Sequence, residues 1–227
     1  MGAKTKKHGT LKTTARKKKV PNKLSKSAID KNVWIAVSVI LAVTFWVFKP
    51  SFDNEFTNWD DNHYVTENQL IRTMDVGQHF NTNSIVVANY HPLTTLSLAM
   101  NYQFSGLEPQ GYFVTNVLLH LLNTFLVFFF IYHLTKRRLI PAIVTASIFA
   151  LHPMHVESVS WISERKDVLF TAFFMGALLA YHRYLSKGKM ALYALSMVLF
   201  VCSILSKPTA VVLAVVVLLV DYFEGKK

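Results

Sequence analysis

What most limits the fold of this chain is that its apolar residues come in near-continuous blocks separated by short polar stretches. A soluble core would spread such residues at helical or strand spacing, whereas unbroken blocks are expected where lipid is the solvent. Six blocks stand out, at residues 33–48, 112–134, 139–151, 168–181, 190–206 and 209–220. Several are shorter than the roughly 20 residues a helix needs to cross a hydrocarbon core. The block at 139–151 is the weakest, and by length alone it could be re-entrant or interfacial.

Charge placement favours six crossings. If every block crosses, the N-terminal bases, Lys136-Arg137-Arg138, the Arg183/Lys187/Lys189 turn and Lys226-Lys227 share one side. The other side receives residues 50–110, where Asp53, Glu55, Asp60, Asp61, Glu67, Asp75 and Glu108 face the single base Arg72. Basic residues then lie on the cytoplasmic side at every turn. Removing the third crossing would move Arg183, Lys187 and Lys189 outside. The short blocks are expected to lengthen by snorkelling ends, or by running on into residues 152–161. The expected fold class is all-α: a polytopic helical membrane protein of about six transmembrane helices with a structured first outer loop.

The formal net charge of +11 suggests nucleic-acid binding until the charge is located. Residues 1–32 hold Lys4, Lys6, Lys7, Lys12, Arg16, Lys17, Lys18, Lys19, Lys23, Lys26 and Lys31 against Asp30, which leaves the rest nearly neutral. A tail so poor in aromatic and long aliphatic residues cannot bury a core, so it is expected to be disordered. Beside a span, such a cluster reads as a topology signal that also touches anionic lipid; no nucleic-acid partner is expected. It is too long and too basic for a cleaved signal peptide, which makes residues 33–48 an uncleaved signal anchor. The expected division is a cytoplasmic tail at 1–32, a first span at 33–48, an outer loop at 49–111 and five further spans within 112–227. In the outer loop, Leu93, Leu96, Met100 and Phe104 fall near one helical face after Pro92, predicting an amphipathic helix on the outer membrane surface. The lone Cys202 allows no internal disulfide, and no Cys/His zinc pattern exists.

Three outer-face clusters are more polar than structure requires. In Asn58-Trp59-Asp60-Asp61-Asn62-His63-Tyr64, close approach of the two adjacent carboxylates would raise one pKa and create a candidate base; the plainer reading is a solvated acidic turn. In His152-Pro-Met-His155-Val-Glu157, the spacing could place a metal-binding set on one rim, although it is not the HExxH pattern. Close by, Arg165 and Lys166 are the strong bases of an outer loop, against the charge rule. They suit a lipid phosphate, or else a local ion-pair set with Glu164 and Asp167 at a helix start. The third cluster is Lys207-Pro208, where Lys207 either snorkels or faces the same cleft. Within the second span, His120 and Asn123 read as helix–helix hydrogen-bonding groups. Spacing assigns no mechanism to Tyr90-His91. Almost no acids occur within the spans, which ranks a transporter low. The residues together suggest an outward-facing cleft at the membrane surface, with acids on one loop and cations on another.

The run from Phe149 through His152, His155, Glu157, Ser163, Glu164, Arg165, Lys166 and Asp167 to Leu169 closely resembles the membrane domain of the transmembrane-and-tetratricopeptide-repeat proteins. So do Asn58-Trp-Asp-Asp61, Asn89-Tyr-His-Pro-Leu93, the stretch from Gly111 to His120, and Ser206-Lys-Pro208. That family is similar to the protein O-mannosyltransferases, within the membrane glycosyltransferases of the GT-C fold. The resemblance implies a GT-C-like bundle and a polyprenyl-phosphate-linked sugar as donor, with inverting transfer to a protein or glycan hydroxyl on the outer or lumenal face. It implies Asp60 or Asp61 as general base, with Glu157 and Asp167 completing the acidic site. Arg165, Lys166 and Lys207 would hold the lipid phosphate, and His91, His152 and His155 would support the site. A divalent cation, Mg or Mn, is left open. The implied membrane is the bacterial inner membrane, or the endoplasmic reticulum membrane in a eukaryote. Relatives carry further spans and then tetratricopeptide repeats, so a partner carrying those is expected. A non-catalytic scaffold or a truncated remnant is the alternative.

Overall fold

A computed structural model describes residues 1–2 and 30–225, so the expectations for the basic tail and for Lys226-Lys227 lie outside the described residues. Helix α1 (Lys31–Phe48) begins at the first apolar block and continues as a tight 3-10 segment through Asp53. Pro50 ends the α-helical register because it has no N–H to donate. A long connection holds only short turns and α2 (Val76–His79), capped by the Asp75 carboxylate. Helix α3 (Pro92–Ser105) starts on a proline and stops at Gly106, whose φ of 56° suits a residue without a side chain. It is followed by α4 (Pro109–Leu134), α5 (Leu139–Leu151), α6 (His155–Ser160), α7 (Arg165–Lys187), α8 (Met190–Ser206) and α9 (Leu213–Phe223).

The segments Lys31–Asp53, Pro109–Leu134 and Ile162–Lys187 are long and apolar enough to cross a membrane, and Leu139–Leu151, Met190–Ser206 and Pro208–Phe223 are shorter apolar helices. The protein is an all-α, polytopic membrane protein. One expectation needs correction. Helix α5 does not run on into residues 152–161, because Pro153 forces His152 into extended backbone and the chain restarts as the separate helix α6. The fourth apolar block does extend, from Arg165 to Lys187. Helix α3 buries Thr94, Thr95, Leu98 and Ala99 toward the protein and turns Met100 and Phe104 outward.

Hydrogen bonds across helices give their directions. Arg165 at the start of α7 reaches Tyr112 at the start of α4, and Phe130 near the end of α4 faces His182 near the end of α7, so the two run parallel. Helix α8 runs back along α7, with Ser196 Oγ donating to the Ala177 carbonyl and Ser203 Oγ to the Phe170 carbonyl, each at 2.9 Å. Helix α5 presents Ala142, Ala146 and Ala150, all fully buried and four residues apart, as a smooth seam. His120 of α4 meets that seam at the Ala150 carbonyl (3.0 Å), and Asn123 donates to the Val168 carbonyl of α7 (2.8 Å). Both residues thus join helices through hydrogen bonds. The basic turns 135–138 and 187–189 lie at one end of this bundle, and the polar clusters gather at the other, called the head below.

Candidate active site

The head is built where α3, α4, α7 and the end of α8 meet. Helix α7 begins immediately after a 3-10 turn, Ile162–Glu164, and no side chain caps it. The uncapped start puts four charged residues, Glu164 to Asp167, on successive faces of one turn. Their surroundings differ sharply.

Arg165 is fully buried. Its Nε donates to Asn116 Oδ1, one Nη to Ser97 Oγ (2.9 Å) and Asn101 Oδ1 (2.8 Å), and the other to the Tyr112 carbonyl (2.9 Å). Asn101 in turn donates to the Gly111 carbonyl at 3.1 Å and Thr115 Oγ1 at 2.9 Å, while Asn116 donates to the Trp161 carbonyl at 3.0 Å. The guanidinium is held by neutral acceptors on α3 and α4, so its fork is occupied by protein. The structure does not bring Arg165 to an open phosphate site beside Lys166. The physical reason is the helical turn itself, which aims residue 165 inward while 164, 166 and 167 face the α8 end.

Those three residues form an ion cluster with Lys207. Lys166 Nζ lies 2.7 Å from Glu164 Oε1, Lys207 Nζ lies 3.8 Å from Glu164 Oε2, and Lys207 is also paired with Asp167. Asp167 Oδ2 further accepts from Ser158 Oγ at 3.0 Å. Lys207 is carried there by the end of α8, which is tied to the start of α3 by a hydrogen bond from Thr94 Oγ1 to the Ser206 carbonyl (2.9 Å). Beside Asp167, a cavity of about 160 Å³ is lined by His120, Asn123, Phe149, His155 and Phe170.

The two aspartates part company. Asp61 is fully buried: Oδ1 accepts from the Ser163 N–H (3.0 Å) and its hydroxyl, and Oδ2 from the Thr57 N–H (2.9 Å) and hydroxyl (3.0 Å). It clamps the first loop onto the turn before α7. Asp60 is partly exposed at the same place, where Trp59 faces Trp161 at 6.0 Å. Next to it, the buried Tyr64 ring stacks on His91 (5.3 Å, 14° between planes), and Lys166 Nζ lies 5.0 Å from the Tyr64 ring centre. Burial, with the Lys166 and Lys207 charges adding, pushes the His91 imidazole down to about 4. Burial also raises the Tyr64 hydroxyl, with Asp60 and Glu164 nearby.

Of the remaining expected residues, Glu157 and His152 lie apart from the cluster, while His155 lines the cavity beside Asp167. Glu157 is exposed on α6, and His152 is exposed with its Nδ1 accepting from the Met154 N–H at 3.2 Å. His155 packs with tilted rings against Phe149 (4.7 Å) and His120 (5.7 Å), and burial lowers its pKa. Among the described residues, no group of three or more His, Cys, Asp or Glu side chains is placed to hold a metal ion. The sequence reasoning overlooked Ser163 and Thr57, the partners of Asp61. Their only signal was proximity to the acidic and basic motifs.

A family model described as "Dolichyl-phosphate-mannose-protein mannosyltransferase" matches residues 108–225, just over half the chain. Among curated proteins, the chain is 32% identical over 127 residues to Protein O-mannosyl-transferase Tmtc1 of Drosophila melanogaster, covering 54% of this chain and 14% of that protein. It is 33% identical over 146 residues to TMTC1 of Mus musculus (60% and 16%). Against tmtc2 of Xenopus laevis it is 32% identical over 186 residues (74% and 22%). The matched segment is therefore less than a quarter of the length of these relatives. No solved structure matches. The helical membrane architecture and the matched segment, which contains the whole Glu164–Asp167 and Lys207 cluster, lead to one conclusion: the chain belongs to the dolichyl-phosphate-mannose-protein mannosyltransferase family.

Proposed function

We propose that this chain carries the membrane site of a glycosyltransferase, which moves a hexose from a polyprenyl-phosphate donor to a protein or glycan hydroxyl at the non-cytoplasmic face. The observation that carries the reading is the convergence of Lys166 and Lys207 on Glu164 and Asp167, beside a cavity walled by aromatic rings. Two ammonium groups on flexible stems can leave carboxylate partners for a phosphate, which Arg165, locked on four acceptors, cannot do. The cavity gives the lipid next to that phosphate an apolar neighbour.

Asp60 is the base in this reading, since Asp61 has both oxygens engaged. Asp60 takes the proton of the acceptor hydroxyl as its oxygen bonds to the anomeric carbon. The carbon–oxygen bond to phosphate breaks, and its electron pair leaves with the polyprenyl phosphate, whose charge Lys166 and Lys207 balance. Attack opposite the leaving group inverts the anomeric centre. Asp167 holds Lys207, and Arg165 positions the start of α7. Topology follows the charge rule, with the basic turns and the N-terminus cytoplasmic. The membrane is the one where polyprenyl-phosphate sugars are presented, and a further segment or partner with tetratricopeptide repeats would offer the acceptor.

The test is transfer of radiolabelled mannose from dolichyl phosphate mannose to acceptor peptides by the full chain in proteoliposomes. Asp60→Asn is expected to lower the rate by about 100-fold or more, the scale of general base catalysis, while the lipid still binds. A variant that transfers at the wild-type rate would remove Asp60 as base.

A further inference from the structure

A buried polar atom without a partner costs about 1–3 kcal/mol, so each one in a folded protein calls for an explanation. Of the buried side-chain atoms that lack a hydrogen-bond partner among the described residues, two lie together: Tyr64 Oη and His91 Nε2. Tyr64 is 0% and His91 2% exposed. They reach this place from different segments, Tyr64 from the turn after the acidic motif and His91 from the residue before α3, and are held ring on ring. Lys166 Nζ lies 5.0 Å from the Tyr64 ring centre, and after burial the Asp60 charge raises the Tyr64 hydroxyl as the Lys166 and Lys207 charges lower the His91 ring. The orphaned pair therefore lies beside Lys166 and within the field of Asp60 and Lys207.

We infer that Tyr64 Oη and His91 Nε2 form a hydroxyl-binding subsite, which takes the hexose of the donor while Lys166 and Lys207 take its phosphate. This rests on the donor class proposed above. The chemistry of the two groups separates their task from that of the lysines. A phenol and a neutral imidazole each can donate or accept, and so match sugar hydroxyls, which do both; a phosphate only accepts. Burial beside two ammonium groups keeps the imidazole neutral at physiological pH. Access is controlled by Lys166, whose Nζ lies over the Tyr64 ring while paired with Glu164. A phosphate that recruits Lys166 draws it off that ring and opens the pair. Binding of the lipid phosphate thus uncovers the sugar subsite.

The experiment uses the full chain in lipid nanodiscs, titrated with dolichyl phosphate and separately with dolichyl phosphate mannose. Tyr64→Phe keeps the stacked ring and removes only the hydroxyl. The wild type should bind the mannosylated lipid about tenfold more tightly than the bare lipid phosphate; Tyr64→Phe should erase most of that difference and leave affinity for the bare lipid unchanged. Without lipid, Tyr64→Phe should melt at the wild-type temperature or above, because the hydroxyl it removes has no partner. A preserved mannose preference in both Tyr64→Phe and His91→Phe would overturn the subsite, as would a lower melting temperature for lipid-free Tyr64→Phe, which would show a hydroxyl already satisfied by internal water. A wild type that binds both lipids equally also overturns it while leaving the donor class standing. A wild type that binds neither lipid removes the donor class and the subsite together.

Discussion

Arg165, in the seam between α3, α4 and α7, and Lys166, in the ion cluster, are neighbours in sequence and carry the same charge. Arg165 is enclosed among Ser97, Asn101, Asn116 and the Tyr112 carbonyl, all neutral and all bonded to it. Lys166 and Lys207 instead share two carboxylates, with side chains 14% and 26% exposed, next to a cavity and two unpartnered polar atoms. Every nitrogen of the Arg165 guanidinium is engaged by protein, so the work of the seam is to join α3, α4 and α7. The cluster keeps spare capacity and exchangeable partners. Spare capacity, more than charge or burial, separates a place that can receive a ligand from one that holds helices together.

The sharpest way to break this contrast is to remove each cation in turn. Arg165→Met should destabilise the protein by about 4 kcal/mol or more, because it strands several buried acceptors at once. Thermal unfolding in detergent would show it, and a near-wild-type melting temperature would move Arg165 out of the structural class. Arg165→Lys should recover only part of the loss, since an ammonium cannot reproduce the fork. Asp61→Asn comes next, at about 2 kcal/mol, because an amide nitrogen would then face a donor, either Thr57 or Ser163. Its melting temperature should fall while Asp60→Asn leaves stability nearly unchanged. Equal losses would erase the distinction between the two acids.

Smaller effects are expected at the cluster. Lys166→Ala and Lys207→Ala should each change stability by no more than about 1 kcal/mol, as partly exposed pairs do. His91 adds a pH dependence whose sign can be worked out. Its pKa is about 4 in the folded protein and 6.5 when free, so between those values the unfolded chain binds more protons. The stability contributed by the buried neutral ring is complete above about pH 6.5 and is lost as pH falls toward 4. Melting curves across that range should show a decline that His91→Gln flattens, and an identical slope in the variant would mean other groups set it.

Much of the fold was legible because its signals are local. Apolar blocks marked the helices, and the turns rich in basic residues follow α4 and α7 at the same end of the bundle. Pro153 was equally local, yet the reading let α5 continue past it; the restriction that proline places on His152 decides that end. The site was legible only in outline. Nothing near residue 165 signals burial, because its partners Asn116, Asn101 and Ser97 lie 49 to 68 positions away. The contact between Asp61 and Ser163 spans 102 positions. Adjacent residues of like charge look interchangeable until a helical turn points one inward and the next out. Arg165 beside Lys166 and Asp61 beside Asp60 are both cases of this. The pairing of Lys166 with Glu164, a helix-local contact, was the part of the cluster open to a sequence reading.

The most direct test of the contrast is the binding of dolichyl phosphate to the full chain in nanodiscs, comparing wild type with the Lys166→Ala/Lys207→Ala double variant at matched melting temperature. Loss of saturable binding in the double variant alone is the result expected if the cluster receives the phosphate. Undiminished binding would contradict it, and would leave the cluster as an ion-paired strut like the seam beside it.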